Sequence, residues 1–297
     1  MNKLTLKRCL FIGAFTVLSA WPVGVFGQQY RVAACDWMML KRQKIGEFQL
    51  AKDIHADGIE VDMGPLGKRE MFENKLREPH FQQLFRHKAD SLGIAVPSMA
   101  MSGFFAQSFL TRANYRELVE DCLRSMDVLG AKVAFLPLGG SGNEWKEKGP
   151  DHDEMVRRLH EVGEMARQQG KVIAIRTQLD ARANLQLLKE VKSKGIKIYY
   201  NLQDAVDQGL CACKELKKLG AKNIGQIHAS LTDSVTLDQD PRINLHKIRA
   251  TLDKMKWSGW LVVERSRNVN DVRNVRGNFG RNVAYLKEVF ADERNND

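Results

Sequence analysis

Apolar and polar positions alternate along this chain in two rhythms. Short runs rich in β-branched and other apolar residues recur at 31–38 (RVAACDWM), 58–64, 94–101, 132–139, 171–178, 196–203, 223–230 and 258–267. Between and after them lie longer stretches whose apolar residues return with helical spacing, at 48–55, 81–91, 115–129, 154–169, 184–194, 210–219, 245–255 and 281–290. The first kind reads as buried strands and the second as helices with one apolar face. Strand starts run from 31 to 258, a mean step of about 32 residues, which is the size of one βα unit. Gly93, Gly130, Gly170, Gly195 and Gly220 each stand just before or at the start of a strand run, as helix C-caps do. Eight alternating units with no linker predict an α/β, single-domain (β/α)8 barrel closed on itself.

The first 27 residues break this pattern. Lys3, Lys7 and Arg8 precede an apolar stretch from Cys9 to Phe26, and Gly27 leads into Gln28 and Gln29. A basic start, an apolar middle and a small residue before a polar run predict a cleavable export signal, with the barrel occupying 28–297. The expected location is therefore periplasmic or otherwise exported, without a stable membrane anchor. Removing the three basic residues of that segment takes the net charge from +10 to +7. The remaining basic residues stand beside acidic ones on helices, as Arg157 and Arg158 do with Glu161 and Glu164. No basic block interleaves with aromatics, which argues against a nucleic-acid partner. Cys35, Cys122, Cys211 and Cys213 lack the spacing of a zinc site and read as buried free thiols. Oligomeric state is left open.

In such a barrel, chemistry collects at the C-terminal ends of the strands. The polar residues there are Asp36, Glu60 with Asp62, Arg176 with Gln178, Asn201 with Gln203, Gln226 with His228, and Glu264 with Ser266 and Arg267. Side chains alternate across a strand, so Gln226 and His228 share a face, as do Glu60 and Asp62, and Val262, Glu264 and Ser266. His228 alone of seven histidines falls inside a strand run, one strand before Glu264.

These strand ends, with His228 in QIHAS and Glu264 in WLVVERSR, resemble the xylose-isomerase-like TIM barrels of sugar isomerases and epimerases. The phrases EVDMGPLG, MAMSGFFAQSF, AFLPLG, TQLDA, IKIYYN and MKWSGWLVVERSR extend the resemblance over residues 30–290, towards exported sugar phosphate isomerase/epimerase-like proteins of the Bacteroidetes type. The resemblance implies a divalent metal held by Glu, Asp, His and Glu on the last four strands. Those positions here carry Arg176, Asn201, His228 and Glu264. Asn201, His228 and Glu264 keep donor atoms, but Arg176 is permanently protonated and has no lone pair, so a metal is disfavoured. A salt bridge from Arg176 to Glu264 or Glu60 is expected instead.

The resemblance further implies proton transfer next to a sugar carbonyl. With the fifth-strand carboxylate missing, Glu264 is the expected base, and Arg176 and His228 the expected stabilisers of an enolate. Expected carbohydrate contacts are Glu60, Asp62, Asn201, Arg267, and Phe104, Phe105 and Gln107 in the loop after the third strand. The competing expectation is an inert carbohydrate-binding relative.

Overall fold

The computed structural model describes residues 29–39 and 42–291. The segment read as an export signal lies outside the described residues. Eight parallel strands, β1 (Tyr30–Cys35), β2 (Gly58–Asp62), β3 (Ser98–Ala100), β4 (Val133–Pro137), β5 (Val172–Arg176), β6 (Ile196–Asn201), β7 (Ile224–His228) and β8 (Gly259–Val263), pair in sequence order. The barrel closes where β1 pairs with β8, from Tyr30 against Gly259 to Ala34 against Val263.

Helices α1 (Gly46–Asp53), α2 (Pro79–Leu92), α3 (Tyr115–Leu129), α4 (Pro150–Gln168), α5 (Ala181–Val191), α6 (Leu202–Asp207), α7 (Ala212–Leu219), α8 (Leu245–Lys254) and α9 (Val275–Val289) fill the outer ring. Outward-facing Ile59, Val61, Ile173, Ile175, Ile227 and Leu261 meet Phe48, Leu118, Leu159, Leu216 and Leu286 from the helices in one continuous core. Fully burying each such side chain contributes about 1.5–3 kcal/mol, so this layer carries most of the stability. Ala33, Cys35, Ala100, Phe135, Ala174, Tyr199 and Val262 form a separate cluster. There Phe135 and Tyr199 meet edge to face at 4.6 Å between ring centres.

The predicted strands are all present, with sharper ends. Pro97, which donates no backbone hydrogen bond, confines β3 to three residues. The stretch from 202 belongs to an unpredicted helix, α6, whose first turn is capped by Asn201 Oδ1 accepting the Gln203 N–H at 2.9 Å. Gly93 and Gly130 are left-handed C-caps as expected. Gly195 is not one. A side chain there would collide with the Gly163 carbonyl at 1.9 Å, and Lys192 takes the left-handed cap of α5. Cys35 and Cys122 are buried free thiols, but Cys211 is exposed because it precedes the first turn of α7 rather than lying within it.

One irregularity sets the parity of β7. Ile198 pairs with Ile224, yet the next residue, Tyr199, pairs with Gln226. Gly225 is the extra residue of a β-bulge. The bulge absorbs it, so Gln226 and His228 face inward beside Tyr199.

Candidate active site

A polar floor fills the barrel beneath its mouth. Gln226 Nε2 donates to Ser98 Oγ at 2.8 Å and to Tyr199 OH at 2.9 Å. Each hydroxyl then has its own hydrogen for Glu60 Oε2, at 2.6 Å from Ser98 and 2.9 Å from Tyr199. Burial and the neighbouring Glu60 charge push the Tyr199 phenol well up, so it stays a donor. Glu60 Oε1 takes a third bond from His228 Nε2 at 3.0 Å. A fully buried carboxylate is thus satisfied on both oxygens.

That orientation turns His228 Nδ1 upward. It has no hydrogen-bond partner and stands 3.5 Å from Glu264 Oε2. The same Oε2 faces Asn201 Nδ2 at 3.4 Å and Arg176 Nη1 at 3.5 Å. Arg176 is anchored on its other side by Asp204, which accepts Nε at 3.0 Å and Nη2 at 2.7 Å. Burial alone would lower the Arg176 pKa, but the Asp204 hydrogen bonds and the Glu264 charge outweigh it and raise it. Of the two expected salt bridges, the structure makes the one to Glu264 and adds Asp204, the first-turn residue of the unpredicted α6.

Above this floor opens a cleft of about 420 Å³, lined by Trp37, Met38, Arg42, Phe105, Gln107, Arg176, Gln203, Glu264 and Arg265 among others. Phe105 is partly exposed and lies 5.6 Å from the Arg176 guanidinium carbon, so it stands as a wall. Phe104 does not: it is fully buried between Phe72 and Phe109. Gln107 lines the cleft, as expected.

Four other expected contacts sit elsewhere. Glu60 is enclosed in the floor. Asp62 accepts the Gly64 N–H at 2.8 Å and the Ser102 N–H at 3.3 Å, which orders the loops after β2 and β3. Asn201 is buried beside Glu264 and does not line the cleft. Arg267 is folded onto Asp233 by Nε at 3.1 Å and Nη2 at 2.6 Å, and Arg265 is the arginine at the cleft. His228 is likewise fully buried below Glu264, so it does not reach a bound molecule as expected.

Sequence reasoning passed over Trp37, Arg42 and Asp204. Trp37 and Arg42 follow Asp36, a polar strand end, by one and six residues, and Asp204 follows Asn201 by three. Proximity to a strand end was the available signal.

Behind β1 and β2 lies a second acidic group. Asp36, Glu47 and Asp62 are all fully buried. Burial pushes Asp36 up to about 6 despite hydrogen bonds from the Gln43 and Asp62 backbone. Burial and the Asp36 charge push Asp62 up to about 8. Glu47 is raised well above the carboxylate range for the same reasons, and it shares a hydrogen bond with Asp36 that requires a proton between them.

The donors present do not fit a divalent ion. At the four strand ends only the His228 Nδ1 and Glu264 lone pairs converge. Asn201 turns its N–H toward Glu264 and gives its oxygen to Gln203, while Arg176 offers N–H groups alone. Among the described residues no group of three or more His, Cys, Asp or Glu side chains is arranged to hold a metal.

Solved structures share this architecture. A D-psicose 3-epimerase aligns with a TM-score of 0.69 at 12% identity, over 88% of this chain and 100% of that one. The 3-keto-D-glucoside 4-epimerase of E. coli aligns at 0.68 and 14%, over 87% and 99%. A sugar phosphate isomerase/epimerase from Parabacteroides distasonis aligns at 0.67 and 11%, over 95% and 100%. At these identities the likeness establishes the fold. No curated protein matches the chain. Among the described residues no helix is long and apolar enough to cross a membrane. The family model for the xylose isomerase-like TIM barrel matches residues 48–289, and the chain belongs to that family.

Proposed function

We propose that the cleft binds a sugar or keto-sugar and that Glu264 removes a proton from the carbon next to its carbonyl. One observation carries the reading: among the described residues Glu264 is the single carboxylate lining the cleft, with the Arg176 guanidinium 3.5 Å from it. The C–H electron pair forms the new C=C bond while the carbonyl π pair moves onto oxygen, and Arg176 faces the enolate charge that develops. Return of the proton to the former carbonyl carbon, with the hydroxyl proton of the adjacent carbon passing to the enolate oxygen, gives isomerisation; loss of a group from the carbon β to the carbonyl gives elimination. Epimerisation by two opposed carboxylates is disfavoured, because among the described residues no second one lines the cleft. Asn201 positions Glu264 through its Nδ2 donor. The reaction proposed here uses no metal, and the N-terminal segment is proposed to direct export.

Incubating the protein with keto-sugars in deuterated water tests this directly. Wild type incorporates deuterium next to the carbonyl, seen by NMR. Glu264→Gln loses about 10³-fold in rate while keeping ligand affinity. Unchanged exchange in that variant removes Glu264 from the chemistry.

The ion pair between Arg176 and Glu264 favours a second reading. A carboxylate oxygen already occupied by Arg176 and Asn201 is less free to meet a substrate carbon, which suits a carbohydrate-binding protein without turnover. Thermal stabilisation by a sugar with no deuterium exchange would select it.

A further inference from the structure

Three guanidinium groups reach the cleft, and they are unequally satisfied. Arg176 commits its donors to Asp204 and Glu264. Arg265 shares one carboxylate, Asp233, with Arg267. Arg267 takes the larger part through its backbone N–H, Nε and Nη2, at 3.1, 3.1 and 2.6 Å. Arg265 keeps a single bond of 3.3 Å from Nη2, and its Nε has no partner.

Arg42 is held more weakly still. It is 3.7 Å from Asp62 Oδ1, an oxygen that already accepts the Gly64 N–H. Burial and the Asp36 charge favour the neutral form of Asp62, which leaves Arg42 with little countercharge. Both arginines are partly exposed at the rim. Because β8 and β1 are hydrogen-bonded neighbours, the segments carrying Arg265 and Arg42 leave the barrel side by side. Among the described residues the only carboxylate in the lining, Glu264, is already faced by Arg176, Asn201 and His228.

A guanidinium offers a planar fork of donors that matches two oxygens of a carboxylate or phosphate. We propose that the cleft takes a sugar carrying an oxyanion, as a carboxylate or a phosphate monoester, docked on Arg42 and Arg265 with its ring toward Phe105 and Glu264. This rests on the reading of the cleft as a sugar site and names the class of sugar it selects. Arg42 and Arg265 are then specificity residues, separate from the proton-transfer group.

Calorimetry with D-glucuronate, D-glucose 6-phosphate and D-glucose tests it on the full protein. The expected result is about tenfold tighter binding of at least one anionic sugar than of glucose, weakening as salt is raised. Preference for glucuronate alone assigns the carboxylate, preference for the phosphate alone assigns the monoester, and preference for both supports the shared oxyanion site. The Arg42→Gln/Arg265→Gln double variant, altered only at partly exposed side chains, should fold normally and bind the three alike. Equal binding of all three by wild type, or an anion preference that survives in the double variant, overturns the inference. Glu264→Gln should keep the preference. If that variant kept turnover as well, the proton-transfer reading alone would fail. Turnover of a neutral ketose such as D-fructose without anion preference would remove this inference alone.

Discussion

Two buried acidic groups lie within one barrel and solve the same electrostatic problem differently. Under the cleft, Glu60 meets three donors, from Ser98, Tyr199 and His228. Behind β1 and β2, Asp36 Oδ1 and Glu47 Oε1 have no donor from outside the acid cluster, and the cluster retains protons instead. Burial is complete in both. What separates them is the supply of N–H and O–H groups, so depth alone does not decide how a buried carboxyl is stabilised.

The sharpest way to break this comparison is to remove Glu60. Glu60→Ala strands the Ser98 and Tyr199 hydroxyls and the His228 Nε2–H, and should cost about 3–5 kcal/mol in denaturant-unfolding stability. A loss under about 1 kcal/mol would mean the floor is held by packing alone. Next in size is a change at the strand ends. Arg176→Glu with Asn201→Asp exchanges N–H groups for oxygens around His228 and Glu264. Mn²⁺ at a hundredfold excess over its dissociation constant should then stabilise the double variant by about 2.7 kcal/mol in thermal melts, and wild type not at all. Stabilisation of wild type by Mn²⁺ would contradict the donor analysis.

The acid cluster is tested by pH. Asp62 titrates at about 8 when folded against a usual value of 3.8, so between those values the folded state keeps a proton that the unfolded chain has released. Stability must therefore fall as pH rises through that window and level off above it, by at most about 1.4 kcal/mol per pH unit from this group. Asp62→Asn should flatten the slope between pH 5 and 7 in calorimetric melts; an unchanged slope would assign it elsewhere. The smallest effect is at the wall. Phe105→Ala should weaken sugar binding by about 1 kcal/mol in calorimetry with little change in stability, because its ring is partly exposed.

Much of this was legible in the chain. Apolar periodicity and a regular step give eight βα units because each strand and helix must bury one face against the next layer. Arg176, Asn201, His228 and Glu264 stand at strand ends, where alternation alone brings their side chains toward one mouth. Phe104 and Phe105 look alike in sequence, yet one is core and the other wall, since a single turn of 3-10 helix (Ser102–Phe105) points them apart. Arg267 leaves its expected place at the cleft to Arg265 for a related reason: Asp233, on a different loop, pairs most closely with Arg267. Asp204 escaped notice because it acts only through the guanidinium it anchors. Partnerships between loops have no local period to betray them.

Gly225 shows how a strand absorbs an extra residue without moving its site. A methyl group there would stand 3.0 Å from the Ala174 Cβ. The bulge takes up this residue between Ile224 and Gln226, so Gln226 and His228 keep the inward parity that direct succession from Ile224 would give them. Deleting Gly225 would leave that parity unchanged, whereas an insertion between Gln226 and His228 would turn one of them outward unless it brought a bulge of its own.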